Sequence, residues 1–156
     1  MNQDFRYGRA DGSESLRTLL VNFIDTYFLI PKDRLIDKCM IATTPGIYGA
    51  LDQIFCVVAN PGDGIMIGRP MYDGFIRGFT FSRSKVQVIP VDFKGDSDEK
   101  HVDPFSEAAI CRYRNAFKRF KDNGTNVKAL VICNPHNPLG RCFVYLFFLT
   151  SLSLIP

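Results

Sequence analysis

The sequence predicts an α/β fold: helices packed on a mostly parallel sheet. Short apolar runs suited to strands, at 65–67, 86–91 and 129–133, alternate with stretches of helical periodicity. Those runs are almost continuously apolar, as strands covered on both faces are. Sheets of this class bind ligands at loops leaving the carboxyl ends of their strands. Three such loops are unusually marked: Thr44–Gly49, Arg69–Gly74 and Asn134–Gly140.

In chain order, Leu16, Leu19, Leu20, Phe23, Ile24 and Tyr27 share one face of a helix, with Gly12 and Ser13 placed for its N-cap. Pro31 cannot continue that helix. A short strand is expected at 39–43, then the Thr-Thr-Pro-Gly turn at 43–46. Ile47, Leu51, Ile54, Phe55 and Val58 mark a second helix, stopped by Asn60-Pro61-Gly62-Asp63. After the strand at 65–67, residues 72–81 read as a weak helix, since Gly74 and Gly78 lower its propensity. Pro90 within 86–91 has no N–H to donate and places that strand at a sheet edge. Residues 95–101 form a charged loop.

Ile110, Tyr113, Phe117 and Phe120 mark a long helix. Its Arg112, Arg114, Lys118, Arg119 and Lys121 read as a solvated basic face. Asn123-Gly124-Thr125 matches a glycosylation sequon but reads as a turn. The strand at 129–133 then runs into the loop holding both Asn-Pro pairs, closed by Gly140.

Composition narrows the function. The 156 residues suit one domain, and 46% hydrophobic with 22% charged residues excludes a disordered tail or a disulfide scaffold. A net charge of +3 is too small to argue for nucleic acid. The five cysteines form no C-x-x-C pair, so neither a zinc site nor a redox motif is indicated. Their odd number, beside a polar start with no signal-like run, fits a reducing, cytoplasmic setting. The apolar run at 144–155 is too short to span a membrane. Gly46 and Gly49 at a strand–helix junction suit a phosphate, which helix amides and the dipole attract, or simply a tight turn. No P-loop and no G-x-G-x-x-G is present.

Three lines of sequence carry a resemblance. They are Tyr7-Gly-x-x-x-Gly12-x-x-x-Leu16-Arg17, Asn60-Pro-Gly-Asp63 followed by Pro70-Met-Tyr72-Asp-Gly-Phe75, and Asn134-Pro-His-Asn-Pro-Leu-Gly-Arg141. In this order and spacing they resemble the fold-type-I pyridoxal-phosphate (PLP) enzymes, the class I/II aminotransferase family. The likeness is nearest to its 1-aminocyclopropane-1-carboxylate (ACC) synthase-like branch and covers about residues 4–143. The resemblance implies residues 1–143 as the N-terminal part of a three-layer α/β/α large domain. The central strands of its sheet would be missing, and 144–156 would be an apolar tail foreign to the family.

The resemblance also implies roles. Amides of Gly46, Ile47 and Tyr48 would hold the PLP phosphate, Tyr72 would stack on the pyridine ring, and Asn137 would donate to the phenolic oxygen. Tyr7 would reach the phosphate of a neighbouring subunit in a homodimer. The substrate would be an amino acid, with neither nucleic acid nor membrane as partner. The family's tethering lysine, its Asp at the pyridine nitrogen and its carboxylate-binding Arg all follow the Asn137 loop and have no counterpart here. Ser82-Arg-Ser-Lys85 imitates the lysine motif but precedes that loop. The expectation is therefore a fragment of an aminotransferase or ACC synthase-like enzyme, inactive by itself. The alternatives are a non-catalytic paralogue or gene fragment, and part of a carbon–sulfur lyase of secondary metabolism.

Overall fold

Strand β1 (Gly64–Gly68) is five residues long and buried at every one. It pairs in parallel with β2 (Gln87–Val91) on one side and β3 (Val127–Val131) on the other, giving the order β2-β1-β3. The computed structural model describes residues 7–28, 35–80, 83–94 and 101–143. It divides into two units, 1–50 and 51–156, each described below by itself.

In the second unit, alternation along the strands feeds two cores. Met66, Ile89, Val91 and Phe93 face helix α4 (Ala108–Asp122), which buries Ala109, Ile110, Tyr113 and Ala116 against them. On the other face, Ile65, Ile67 and Val86 pack on Phe55 of α2 (Gly46–Val58) and on Phe75 and Phe79 of α3 (Asp73–Thr80). The Phe55 and Phe79 rings meet edge-on at 5.0 Å, a preferred aromatic geometry. This is the three-layer α/β/α arrangement. In β3, Val127 faces the α4 core whereas Ala129 faces the opposite one, although they are two residues apart. The register shift beside Gly64 explains it: Gly64 pairs with Val127 but Ile65 with Ala129, so one extra residue changes the parity.

Close packing also fixes the ends of β1. A Cβ on Gly64 would meet the Ile89 side chain, and one on Gly68 would meet the Tyr113 hydroxyl and, at 3.0 Å, the Phe93 ring. Asp63, ahead of the strand, is buried and accepts from the Asn60 amide (2.8 Å) and the Asn126 side chain (3.1 Å).

In the first unit, α1 (Glu14–Tyr27) starts at Ser13, whose hydroxyl accepts from the Leu16 amide. Its apolar stripe is not the buried face. Leu16, Leu19, Phe23 and Tyr27 are exposed, and Arg17 is the helix's buried residue. Arg17 reaches Asp11 at 2.7 Å and the Lys38 carbonyl at 3.4 Å. Glu14 pairs with Lys38. Arg9, hydrogen-bonded to Asp11, and Arg17 behind it hold the Asp11 carboxyl down at about 2.

Several expectations meet corrections. Residues 39–43 form no strand: Lys38–Met40 is a 3-10 turn. Its donors find local partners instead, the Cys39 amide on Asp37 (2.7 Å) and the Thr43 amide on the Asp11 carbonyl (3.1 Å). The third strand begins at Val127, two residues earlier than its apolar run, because β1 pairs with it from Gly64 onward. Pro90 does sit on an edge strand among the described residues. The charged residues 95–100, Ser82 and the tail 144–156 lie outside the described residues. No helix among the described residues is long and apolar enough to cross a membrane.

The fit around Gly68 yields a test. Gly68→Ala should lower unfolding stability by about 1–3 kcal/mol, because neither the buried Tyr113 nor Phe93 can withdraw. Urea unfolding checks it, and an unchanged midpoint would mean the contact is slack.

Candidate functional site

A parallel sheet sends every strand's carboxyl end the same way. Here β1 runs out into Arg69-Pro70, β2 into Asp92 and β3 into Ile132-Cys133, so the loops after them leave at one end. Tyr72 follows β1 and Asn137 follows β3, on adjacent strands. A crevice of about 10 Å³ lies between Gly68, Met71, Phe75, His136, Asn137 and Phe143. A planar ring cannot enter so small a space and would have to lie over its mouth. A groove of about 500 Å³ opens on the β2 side, where Arg69 meets Asp92 at 3.3 Å.

The loop after β3 is held at most of its polar groups. The Asn134 side chain accepts from the Phe143 amide at 2.9 Å, closing the loop on itself. The His136 amide donates to the Arg141 carbonyl at 2.8 Å, and the Gly140 amide to the His136 carbonyl at 2.7 Å. Gly140, at φ 64°, takes the left-handed turn that brings the chain back. The His136 ring is buried edge-on against Phe105, 5.4 Å away. Burial lowers its pKa, and its Nδ1 accepts from the Leu139 amide at 3.4 Å, as only the neutral ring can.

Asn137 is the exception. It is exposed, and its side-chain amide makes no hydrogen bond to another described residue. Tyr72 is 46% exposed, its ring edge-on to Phe75 at 5.8 Å. An amide donor without a partner among the described residues and a half-open aromatic face thus stand on the carboxyl ends of β3 and β1. These two fit a flat ligand carrying an acceptor oxygen, and so fit the noncovalent requirements of PLP.

The remaining residues sit in different surroundings. Gly46, Ile47 and Tyr48 open α2, where first-turn amides have no partner within a helix. The Gly46 amide already donates to the Thr44 carbonyl at 2.8 Å. A side chain at Gly46 would be strained by its φ of 71°. Tyr7 is fully exposed. Lys85 is exposed in the turn before β2, its carbonyl accepting from the Gly62 amide ahead of β1. That is the amino end of the sheet, opposite Tyr72 and Asn137. Among the described residues no cluster of His, Cys, Asp or Glu could hold a metal.

Asp103 and Arg141 escaped the sequence reading. Arg141 pairs with Asp103 through two hydrogen bonds of 3.0 Å each, and its guanidinium lies 4.3 Å from the centre of the Phe105 ring. Arg141 stood in the quoted motif, but its partner is 38 positions upstream, and no periodicity links them.

Comparison with known proteins bears on the family and the fold. Residues 1–144 match the family model "Aminotransferase class I and II". A mouse (Mus musculus) protein named "Probable inactive 1-aminocyclopropane-1-carboxylate synthase-like protein 2" is 28% identical over 138 residues, 88% of this chain and 23% of its own. The 1-aminocyclopropane-1-carboxylate synthase 1 of Prunus mume is 33% identical over 104 residues, 67% of this chain and 20% of its own. The chain therefore spans under a quarter of either relative. Among solved structures, a Pyrococcus horikoshii kynurenine aminotransferase "in complex with PMP" superposes with a TM-score of 0.61 at 27% identity. The match covers 95% of this chain and 34% of that one.

His136 makes the loop sensitive to acid. Its folded pKa lies below its ordinary 6.5, so between those two values the unfolded chain binds the proton and the folded chain does not. The stabilising contribution is present above pH 6.5 and is lost as pH falls. Relative to the intrinsic rates, which slow in acid, hydrogen exchange at Leu139 and Gly140 should show an added acceleration as pH falls below 6.5. A His136→Gln chain should show no such added acceleration.

Proposed function

This chain belongs to the class I and II aminotransferase family, and from that premise we propose that it supplies the noncovalent N-terminal part of a PLP site for an amino-acid substrate. The observation that carries the reading is Asn137: an amide with no hydrogen-bond partner among the described residues, on a loop whose Asn134, His136 and Gly140 are all engaged. A polar group left open on an ordered loop points to a ligand, since loops fixed by a rigid scaffold carry binding groups.

In this reading Asn137 donates its Nδ2–H to the phenolic oxygen of the cofactor, and the Tyr72 ring covers one face of the pyridine. The first-turn amides of α2, at Ile47 and Tyr48 beside Gly46, face the phosphate with the positive end of the helix dipole. Tyr7 serves the phosphate of a partner subunit in a homodimer. Bound PLP supplies the electron sink that chemistry at an amino acid's α-carbon needs. The likeness to the Prunus mume enzyme supports an ACC synthase-like specificity for the complete protein.

These 156 residues alone would bind without turning substrate over. Lys85, the only lysine in a suggestive motif, stands at the wrong end of the sheet. A second reading, a non-catalytic paralogue, is supported by the mouse relative that is itself named inactive. Residues 144–156 we take as an apolar tail foreign to the family.

Two measurements test the proposal. Borohydride reduction with PLP, followed by peptide mapping, should spread label thinly over exposed lysines, with Lys85 not preferred. One stoichiometric lysine would defeat the assignment. Pyridoxine 5'-phosphate has the ring, phenol and phosphate but no aldehyde, so it reads the noncovalent contacts alone. Asn137→Ala and Tyr72→Ala should each weaken its binding about three- to tenfold by titration.

A further inference from the structure

We infer that Arg141 is a positioning residue for Asn137, acting through a clamp on Asp103 and Phe105. The inference rests on the reading above that Asn137 meets the cofactor, but its first test does not need the ligand.

Asp103 is itself well fixed. Its carboxylate accepts from the Phe105 amide at 3.1 Å, its carbonyl accepts from the Ser106 hydroxyl at 2.7 Å, and the preceding Val102 amide donates to the Phe93 carbonyl at 2.9 Å. Asp103 thus belongs to the turn joining the end of β2 to the start of α4. Arg141 grips this anchor with the planar fork that suits a carboxylate, while the Phe105 ring below it restricts the guanidinium's rotation. The Arg141 carbonyl then accepts from the His136 amide, one residue from Asn137. The path from sheet to Asn137 is unbroken. A loop fixed only by its internal bonds could still swing as a body about Cys133. Beside the packing of the His136 and Phe143 rings on Phe105, the clamp is a directional polar tie that fastens its far end to another segment.

Both partners are about half exposed, so an exposed ion pair alone would contribute little to overall stability. What the fork and the stacked ring add is direction. The prediction is therefore local. In Arg141→Ala, hydrogen exchange of the 136–141 segment should quicken about tenfold, while the α4 segment 108–122 keeps its protection. Equal loosening of both segments, or of neither, would overturn the clamp. Arg141→Lys keeps the charge but cannot form the fork, so its loop should exchange at least about threefold faster than wild type. Full protection in that variant would overturn the role of the fork. In the second arm, pyridoxine 5'-phosphate is titrated into both chains while the Asn137 side-chain amide is observed by NMR. The signal should shift in wild type and shift several-fold less in Arg141→Ala. No shift in wild type would defeat the reading of Asn137 as a cofactor contact, with the clamp still decided by the exchange data. An equal shift in both chains would overturn the positioning role.

Discussion

Everything at the candidate site hangs from the burial of β1. A strand buried on both faces and paired on both edges has one way to satisfy its backbone, and that fixes β2 and β3 beside it. Parallel pairing follows from helices crossing between the strands, and parallel pairing puts all three carboxyl ends together. Gly64 and Gly68 show how tight the arrangement is, since Ile89, Tyr113 and Phe93 stand where their side chains would be. The loops carrying Tyr72 and Asn137 leave adjacent strands at the same end because Ile67 and Val131 are partners in the ladder.

Hydrophobic periodicity made the second unit legible. Continuous apolar runs became the three strands, the 3.6-residue spacing became α2 and α4, and Pro90 marked an edge. Where neighbours decide, the pattern misled. Cys39–Thr43 is apolar enough for a strand, yet Asp37 and Asp11 take its donors and leave a 3-10 turn. The stripe on α1 reads as a core face, but the helix docks through Arg17. A charge that buries itself for one ion pair gives no periodic signal. The Nε of that guanidinium is buried without a partner among the described residues, so the position is held by geometry at some cost in desolvation.

The site was legible only in part. Two Asn-Pro pairs close to a glycine announce a stiff loop, and composition could say no more than that. The structure separates the two asparagines. The Asn134 side chain closes the loop on the Phe143 amide, whereas Asn137 has no side-chain partner among the described residues. Identical dipeptides thus do opposite work, one structural and one facing outward. Between them the buried His136 ring packs on Phe105 and holds the middle of the loop.

Lys85 shows the same lesson from the other side. Its motif imitates a cofactor-binding lysine, and its left-handed φ of 48° gives it an unusual backbone. Yet its carbonyl is tied to Gly62, at the amino end of a sheet whose binding loops all lie at the carboxyl end. A strand of five residues spans roughly 16 Å, far more than a lysine side chain reaches. Direction along the sheet, which no short motif encodes, decides what a residue can touch. By that criterion Lys85 stands apart from the end that carries Asn137 and Tyr72, and in the proposed site a covalent tether would come from a residue at the carboxyl end.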